Sequence, residues 1–266
     1  MNLGDRMKFY EKTLIPAVFS PHLPVIVRID GCAFHTWTKG LRRPADNRLA
    51  DALKWTTERL MRRCRALVGY TQSDEISLLL YTDSADSQLY FDGKRDKILT
   101  TLASSTTYEF YRYIDGVLPD KRRTDLAFDC KAFHVPTVTE AVNYFLWREQ
   151  DAVKNSISMA ASMYYTDSEL HNKTSNERQE MLFAKGVNWA LYSEHFKNGT
   201  LIGKRLVSRP FTTEEINNLP PLHNARKNSS LVVQRFIYQE LPPLSSFATM
   251  QEMETQLMAA DWATKE

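Results

Sequence analysis

Hydrophobic and polar positions alternate from Val25 to Asp30 with the period of an extended strand. Val25, Val27 and Ile29 make one wholly apolar face, fit to bury against helices, while Ile26, Arg28 and Asp30 point the other way. Gly31 follows and permits a sharp turn. Two more short strands are predicted over Ala66–Gln72 and Ile76–Tyr81, with Ser73-Asp74-Glu75 where they reverse. Between the first strand and this hairpin the period changes to that of a helix. Asp46 is a plausible N-cap, and Leu49, Leu53, Thr56, Leu60, Cys64 and Leu67 recur on one face. The other face carries Arg48, Lys54, Arg59, Arg62, Arg63 and Arg65, which fits a solvated face or contact with a phosphate backbone. A further helix runs from Tyr90 to Tyr113 with Leu99, Leu102, Thr106, Phe110 and Tyr113 as its buried stripe, and Phe128–Val135 closes the series as a strand. The order is β-α-β-β-α-β, an α+β fold with a ferredoxin-like antiparallel sheet.

Flanking segments read less sharply. Lys8–Ser20 is a helical lead-in, and a long helix spans Thr139 to about Tyr165 with Arg148, Asp151, Asn155, Ser158 and Ser162 as a polar stripe. Thr174-Ser-Asn-Glu177 is a capping box ahead of a helix stopped by Gly186. Phe196–Leu201 reads as a hairpin around Asn-Gly, and Leu231–Ile237 as another strand. These patterns divide the chain into a catalytic domain at 1–137 and a helical extension with a β-hairpin at 138–266, packed on the first.

In a split βαβ arrangement, the end of the first strand and the tip of the following hairpin lie side by side. Asp30, the Gly31 carbonyl and Asp74 would then converge as hard oxygen ligands, a set that suits Mg²⁺ with substrate phosphates filling the remaining positions. Either acid alone reads equally well as ordinary turn chemistry. The helix after Tyr90 begins with Lys94, Arg95 and Lys97, where the positive end of the dipole disfavours cations. An anion such as a triphosphate lying among them would explain the placement.

Composition narrows the class. The chain has 266 residues, 43% of them hydrophobic, enough for a substantial core. The net charge of +2 leaves any nucleic-acid contact to local patches. Cys32, Cys64 and Cys130 suggest neither a disulfide framework nor a zinc site. With no basic-then-apolar leader and no long apolar run, the expectation is a soluble cytoplasmic protein with no membrane partner. Neither a Gly-rich phosphate loop nor a Ser/His/Asp arrangement is evident.

Arg28-x-Asp-Gly-x-x-Phe-His35, Arg43-Pro-x-Asp46, Gln72-Ser-Asp-Glu75, Lys94-x-x-Lys97 before Ala103-Ser104, Phe128-Asp129 and Trp147-Arg148 together resemble the tRNA(His) guanylyltransferase family. The resemblance runs from Arg28 to beyond Trp147 and weakly to Gly199. It implies a polymerase-like palm that adds nucleotides to the 5′ end of tRNA in the 3′–5′ direction, with ATP, GTP or other nucleoside triphosphates as substrates and two Mg²⁺ ions. By the same resemblance Asp30, Gly31 and Asp74 hold metal, and Glu75 supports metal or nucleophile. Arg28, Arg43, Lys94, Arg95 and Lys97 hold phosphates, and His35, Asp46 and Ser73 line the nucleotide site. His35 taken alone reads as a structural histidine. Arg178 falls at a phosphate-contacting lysine of the family, and Lys154 and Asn155 fall in its tRNA-contacting helix. A homo-oligomer, a tetramer in family members, is also implied. The chain departs from the family in that helix. Eukaryotic members carry His-Ile-Asn-Asn-Leu-Tyr-Asn where this chain has Val153-Lys-Asn-Ser-Ile-Ser-Met159, keeping only Asn155. That change favours the guanylyltransferase-like branch, which repairs 5′-truncated tRNAs by templated pairing. A palm-type nucleotide cyclase and an inactive tRNA-binding module are the competing readings.

Overall fold

The structure is a computed structural model that describes residues 1–82, 88–121, 125–228 and 230–259. Its strands are β1 (Val25–Gly31), β2 (Val68–Gln72), β3 (Glu75–Leu80), β4 (Phe128–His134), β5 (Thr200–Pro210) and β6 (Val232–Leu241). They form one sheet in the order β4-β1-β3-β2-β5-β6, with every neighbouring pair antiparallel. The first four strands have the ferredoxin-like order expected of βαββαβ. β5 and β6 continue the same sheet beyond β2.

Strand alternation sorts the two cores. Val25, Val27 and Ile29 of β1, with Ile76, Leu78 and Leu80 of β3, pack under α3 (Asn47–Cys64) and α4 (Arg95–Val117). Ile26 and Leu79 point to the opposite face, against α1 (Leu3–Thr13), α5 (Val138–Ala161) and the C-terminal helix at Met250–Met258. Each fully buried aliphatic or aromatic side chain here stabilises the fold by about 1.5–3 kcal/mol. Arg28, Asp30, Glu75 and Ser77 therefore lie on the α5 side of the sheet, where β1 and β3 pair Arg28 with Ser77. A third cluster of Ala160, Ala161, Leu170, Leu182 and Phe196 packs the end of α5 against the helices that follow it.

Several expectations need correction. The first helix spans Leu3–Thr13, five residues earlier at its start than Lys8. The buried stripe of α4 is Ile98, Leu102, Thr106, Phe110 and Ile114, so Leu99 and Tyr113 sit at its margin. Phe196–Leu201 is not a hairpin. A short helix, Glu194–Asn198, ends at Gly199 (φ +73°) and β5 starts at Thr200. A Cβ at Gly199 would collide with the Tyr70 ring and hydroxyl, so this glycine is a helix stop pressed against β2. The second hairpin partner of β5 is instead β6, reached after more than twenty residues.

Candidate active site

The hairpin between β2 and β3 turns on two residues, Ser73 and Asp74, with Ser73 at φ +55° and Gln72 paired to Glu75. Its tip closes on the end of β1. A Cβ built on Gly31 would stand 3.1 Å from Asp74 Cβ and 2.6 Å from the Phe34 ring. Only glycine lets the hairpin tip approach this closely. Asp30, the Gly31 backbone and Asp74 thus converge as the strand pattern predicts, at one end of a cleft of about 730 Å³. Asp129, the β4 partner of Asp30, lies on the same rim.

The cleft acids are poorly balanced. Burial, and then the charge of Asp30, push the Asp74 carboxyl up to about 6. A divalent cation would relieve both penalties, and the donors present are two carboxylates and a backbone carbonyl, the hard oxygen set that Mg²⁺ takes. Among the described residues, no group of three or more His, Cys, Asp or Glu side chains is gathered to hold a metal. An ion held by this set would complete its shell with water and substrate oxygens.

Other candidates fall in three places. His35, Arg43 and Ser73 are exposed on the cleft wall, as is Arg42 beside them. Asp46 also lines the cleft but is buried and engaged. It caps α3 by accepting from the Arg48 amide at 3.1 Å, accepts from the Arg42 amide at 3.2 Å, and pairs with the Arg48 guanidinium at 3.0 and 2.7 Å. That guanidinium, foremost, holds its carboxyl down to about 2. Arg28 and Glu75 lie behind the cleft, in ion pairs with each other at 2.8 Å. Arg28 is also 3.6 Å from Asp30 and 3.5 Å from Glu11.

Lys94, Arg95 and Lys97 are not brought to this cleft. The start of α4 is tied to the strand-like segment before β1: Val18 bridges to Lys94, the Arg95 amide donates to the Ala17 carbonyl, and Phe19 stacks edge-on against His134. His134 pairs with Val25, at the opposite end of β1 from Asp30. Five residues of strand at about 3.3 Å each put roughly 17 Å between the two ends. Arg178 is likewise elsewhere, donating to Ser158 Oγ and to the Leu170 carbonyl at 3.1 Å within the third cluster. Lys154 and Asn155 are exposed on α5, with Asn155 donating weakly to Asp151 at 3.4 Å. The basic face of α3 is largely paired within the protein, as in Arg62 with Glu58 at 2.6 Å and Lys54 with Glu240 at 3.1 Å.

The cleft is also lined by Met159, Ser162 and Met163 at the end of α5, and by His195 and Phe196. Burial drives the His195 imidazole down to about 4, and its Nδ1 lies 2.8 Å from Thr200 Oγ1. Sequence reading missed these residues because helical spacing says nothing of which distant strand end a helix terminus will face. The methionines did carry one signal, the replacement of a family motif at Met159.

A β4-β1-β3-β2 sheet with acids at the end of its first strand and at the tip of the next hairpin has the architecture of a polymerase-like palm. The family described as Thg1, tRNAHis guanylyltransferase, matches residues 4–136, half of the sequence. This chain belongs to the tRNA(His) guanylyltransferase family. It is 26% identical over 219 residues to the tRNA(His) guanylyltransferase of Eremothecium gossypii, covering 76% of this chain and 91% of that protein. A bacterial Thg1-like protein solved in complex with ATP superposes with a TM-score of 0.67 at 38% identity, covering 77% of this chain and 87% of the other. A bacterial Thg1-like protein in complex with GTP gives the same TM-score at 31% identity, covering 96% and 99%.

Proposed function

We propose that this protein is a template-dependent 3′–5′ nucleotidyltransferase that restores or extends the 5′ end of tRNA, using ATP, GTP and other nucleoside triphosphates. The observation that carries the reading is the meeting of Asp30, the Gly31 backbone and Asp74 in an open cleft of a chain of this family. Transfer of AMP from ATP to a 5′ phosphate, releasing pyrophosphate, and attack on that activated phosphate by the 3′ hydroxyl of an incoming nucleotide, expelling AMP, are both phosphoryl transfers that depend on positioning and neutralised charge. Bound Mg²⁺, up to two ions, would offset charge on the attacking and leaving oxygens. Asp30 and Asp74 would hold the metal, while the exposed Arg42 and Arg43 on the same cleft would meet phosphate oxygens of nucleotide or tRNA. Lys154 and Asn155, exposed on α5, are the proposed contacts to the tRNA.

Base choice follows from the methionines that line the same cleft. Where the eukaryotic motif ends in asparagine, this chain presents Met159, 41% exposed, with Met163 beside it in the cleft at 42%. A thioether packs on a base but is a poor reader of its hydrogen-bonding edge. Selection is then left to Watson–Crick pairing with the opposing strand of the acceptor stem. The test is a matrix of four labelled nucleoside triphosphates against 5′-truncated tRNAs that differ only in the base opposite the gap. Incorporation that tracks the opposing base supports templated repair. A fixed preference for G refutes it, and cyclic product without RNA labelling refutes the polymerase reading altogether.

A further inference from the structure

Glu75 follows Asp74 directly in sequence, and the family resemblance casts it as support for metal or nucleophile. Its surroundings assign it other work. As the first residue of β3 it points to the α5 face with Ser77, and its side chain is 7% exposed. Its Oε1 accepts from Arg148 Nε at 2.7 Å and from Ser77 Oγ at 3.2 Å. Its Oε2 accepts from Arg148 Nη2 at 2.7 Å and lies 2.8 Å from Arg28 Nη2. A carboxylate has about four lone-pair sites, and four donors face these.

Arg148 is equally committed. Its side chain is 8% exposed, Nη2 also reaches Asp151 at 3.0 Å, and the guanidinium sits 4.6 Å from the centre of the Trp147 ring. Arg28 then carries the chain of contacts to the cleft, with Nη2 3.6 Å from Asp30 Oδ2. Helix, third strand, first strand and cleft carboxylate are joined in one line: Arg148, Glu75, Arg28, Asp30. Arg148, the first residue of the polar stripe, is here a buried attachment of α5 to the metal-side end of β1 and β3, while Asn155 further along the stripe is exposed.

We infer that Glu75 and Arg148 are a positioning pair that locks Arg28 against Asp30 and so presents the Asp30 carboxylate to the metal, and that Glu75 is not itself a metal ligand. The inference rests on the reading of Asp30 and Asp74 as metal-binding residues. To bind an ion, Glu75 would have to give up guanidinium partners and leave the buried Arg148 with only the half-exposed Asp151 as counter-charge, an unfavourable exchange.

Mn²⁺ titration followed by electron paramagnetic resonance tests this without relying on turnover. The full-length protein is compared with Glu75→Gln, Arg148→Met and the double variant Glu75→Leu/Arg148→Met, whose apolar pair removes the buried charges together. Glu75→Gln and Arg148→Met are expected to bind as many ions as the unmodified protein, with affinity weakened roughly tenfold or more. Nucleotide addition by Glu75→Gln should recover as Mn²⁺ is raised. The double variant should regain thermal stability while its metal affinity stays weakened, which separates positioning from mere support of the fold. Loss of a bound ion in Glu75→Gln would make Glu75 a ligand and overturn the inference. Full recovery of metal affinity in the double variant would overturn it too, by showing that the pair only stabilises. Unmodified protein that binds no Mn²⁺ would fail at an earlier point, defeating the reading of the cleft and the inference with it.

Discussion

Asp74 and Glu75 share a peptide bond and end in opposite surroundings. Asp74 stands at a hairpin tip beside a second acid, with its carboxyl pushed up to about 6. Glu75 lies behind it under α5, where burial raises its carboxyl and the guanidinium groups of Arg148 and Arg28 pull against that rise. At the hairpin tip Asp74 has no guanidinium or ammonium partner among the described residues, so that something else must balance it. Behind the cleft the protein balances charge internally and obtains rigidity. Of two adjacent carboxylates, the poorly satisfied one is the better candidate for chemistry, and the satisfied one for geometry.

The largest expected effect comes from emptying the cleft. Asp30→Ala or Asp74→Ala should lower nucleotide addition by roughly a thousandfold or more while the circular dichroism spectrum stays native. Near-normal turnover in Mg²⁺ by either variant would break the contrast. Gly31→Ala comes next. Its new methyl would meet Phe34 and Asp74 at 2.6 and 3.1 Å, so the hairpin tip must shift. A displacement of that size should cost roughly ten- to a hundredfold in turnover and about 1–3 kcal/mol of stability. Turnover and melting measurements on the one variant would show both.

Asp74→Asn should lose activity yet stabilise the metal-free protein. The folded-state value of about 6 lies above the ordinary unfolded value, so the folded form holds the proton more tightly. With respect to this group, stability is full below about pH 4 and is lost as the pH rises toward about 6. At neutral pH the penalty is roughly 1–3 kcal/mol, so the variant should melt about 2–6 °C higher without metal. Added Mg²⁺ should narrow the gap, and a variant that melts lower than the parent at pH 7 would show that Asp74 is not strained. The smallest effect belongs to the rim. Arg42→Ala should weaken tRNA affinity by a fewfold and reduce the salt slope of binding by about one, as fits a single exposed phosphate contact. An unchanged slope would remove Arg42 from the nucleic-acid interface.

Much of the core and the heart of the site could be read from the chain because they rest on local rules. Period-two alternation separates Val25, Val27 and Ile29 from Arg28 and Asp30, and the Asp46 cap marks where α3 begins. What escaped depends on tertiary partners. Helical spacing puts Arg148 on a polar stripe without saying what that stripe faces, and the placement of α5 over Glu75 is what buries it. The charge argument for Lys94, Arg95 and Lys97 concerns a helix end, whereas the position of that end is set by residues Ala17–Phe19, which anchor it beside His134. The offset in the α4 stripe has a similar origin. Glu109 is buried on α4 because Arg59 and Arg112 reach it at 3.7 and 3.5 Å, so a charged position joins the inner face that sequence reading reserves for apolar residues.

Anomalous diffraction from crystals grown with Mn²⁺ and a non-hydrolysable nucleoside triphosphate would test the division between the two carboxylates most directly. The account predicts anomalous density held by Asp30, Asp74 and the Gly31 carbonyl, with Glu75 still clasped by Arg148 and Arg28. Manganese coordinated by Glu75, with those arginines released, would contradict it.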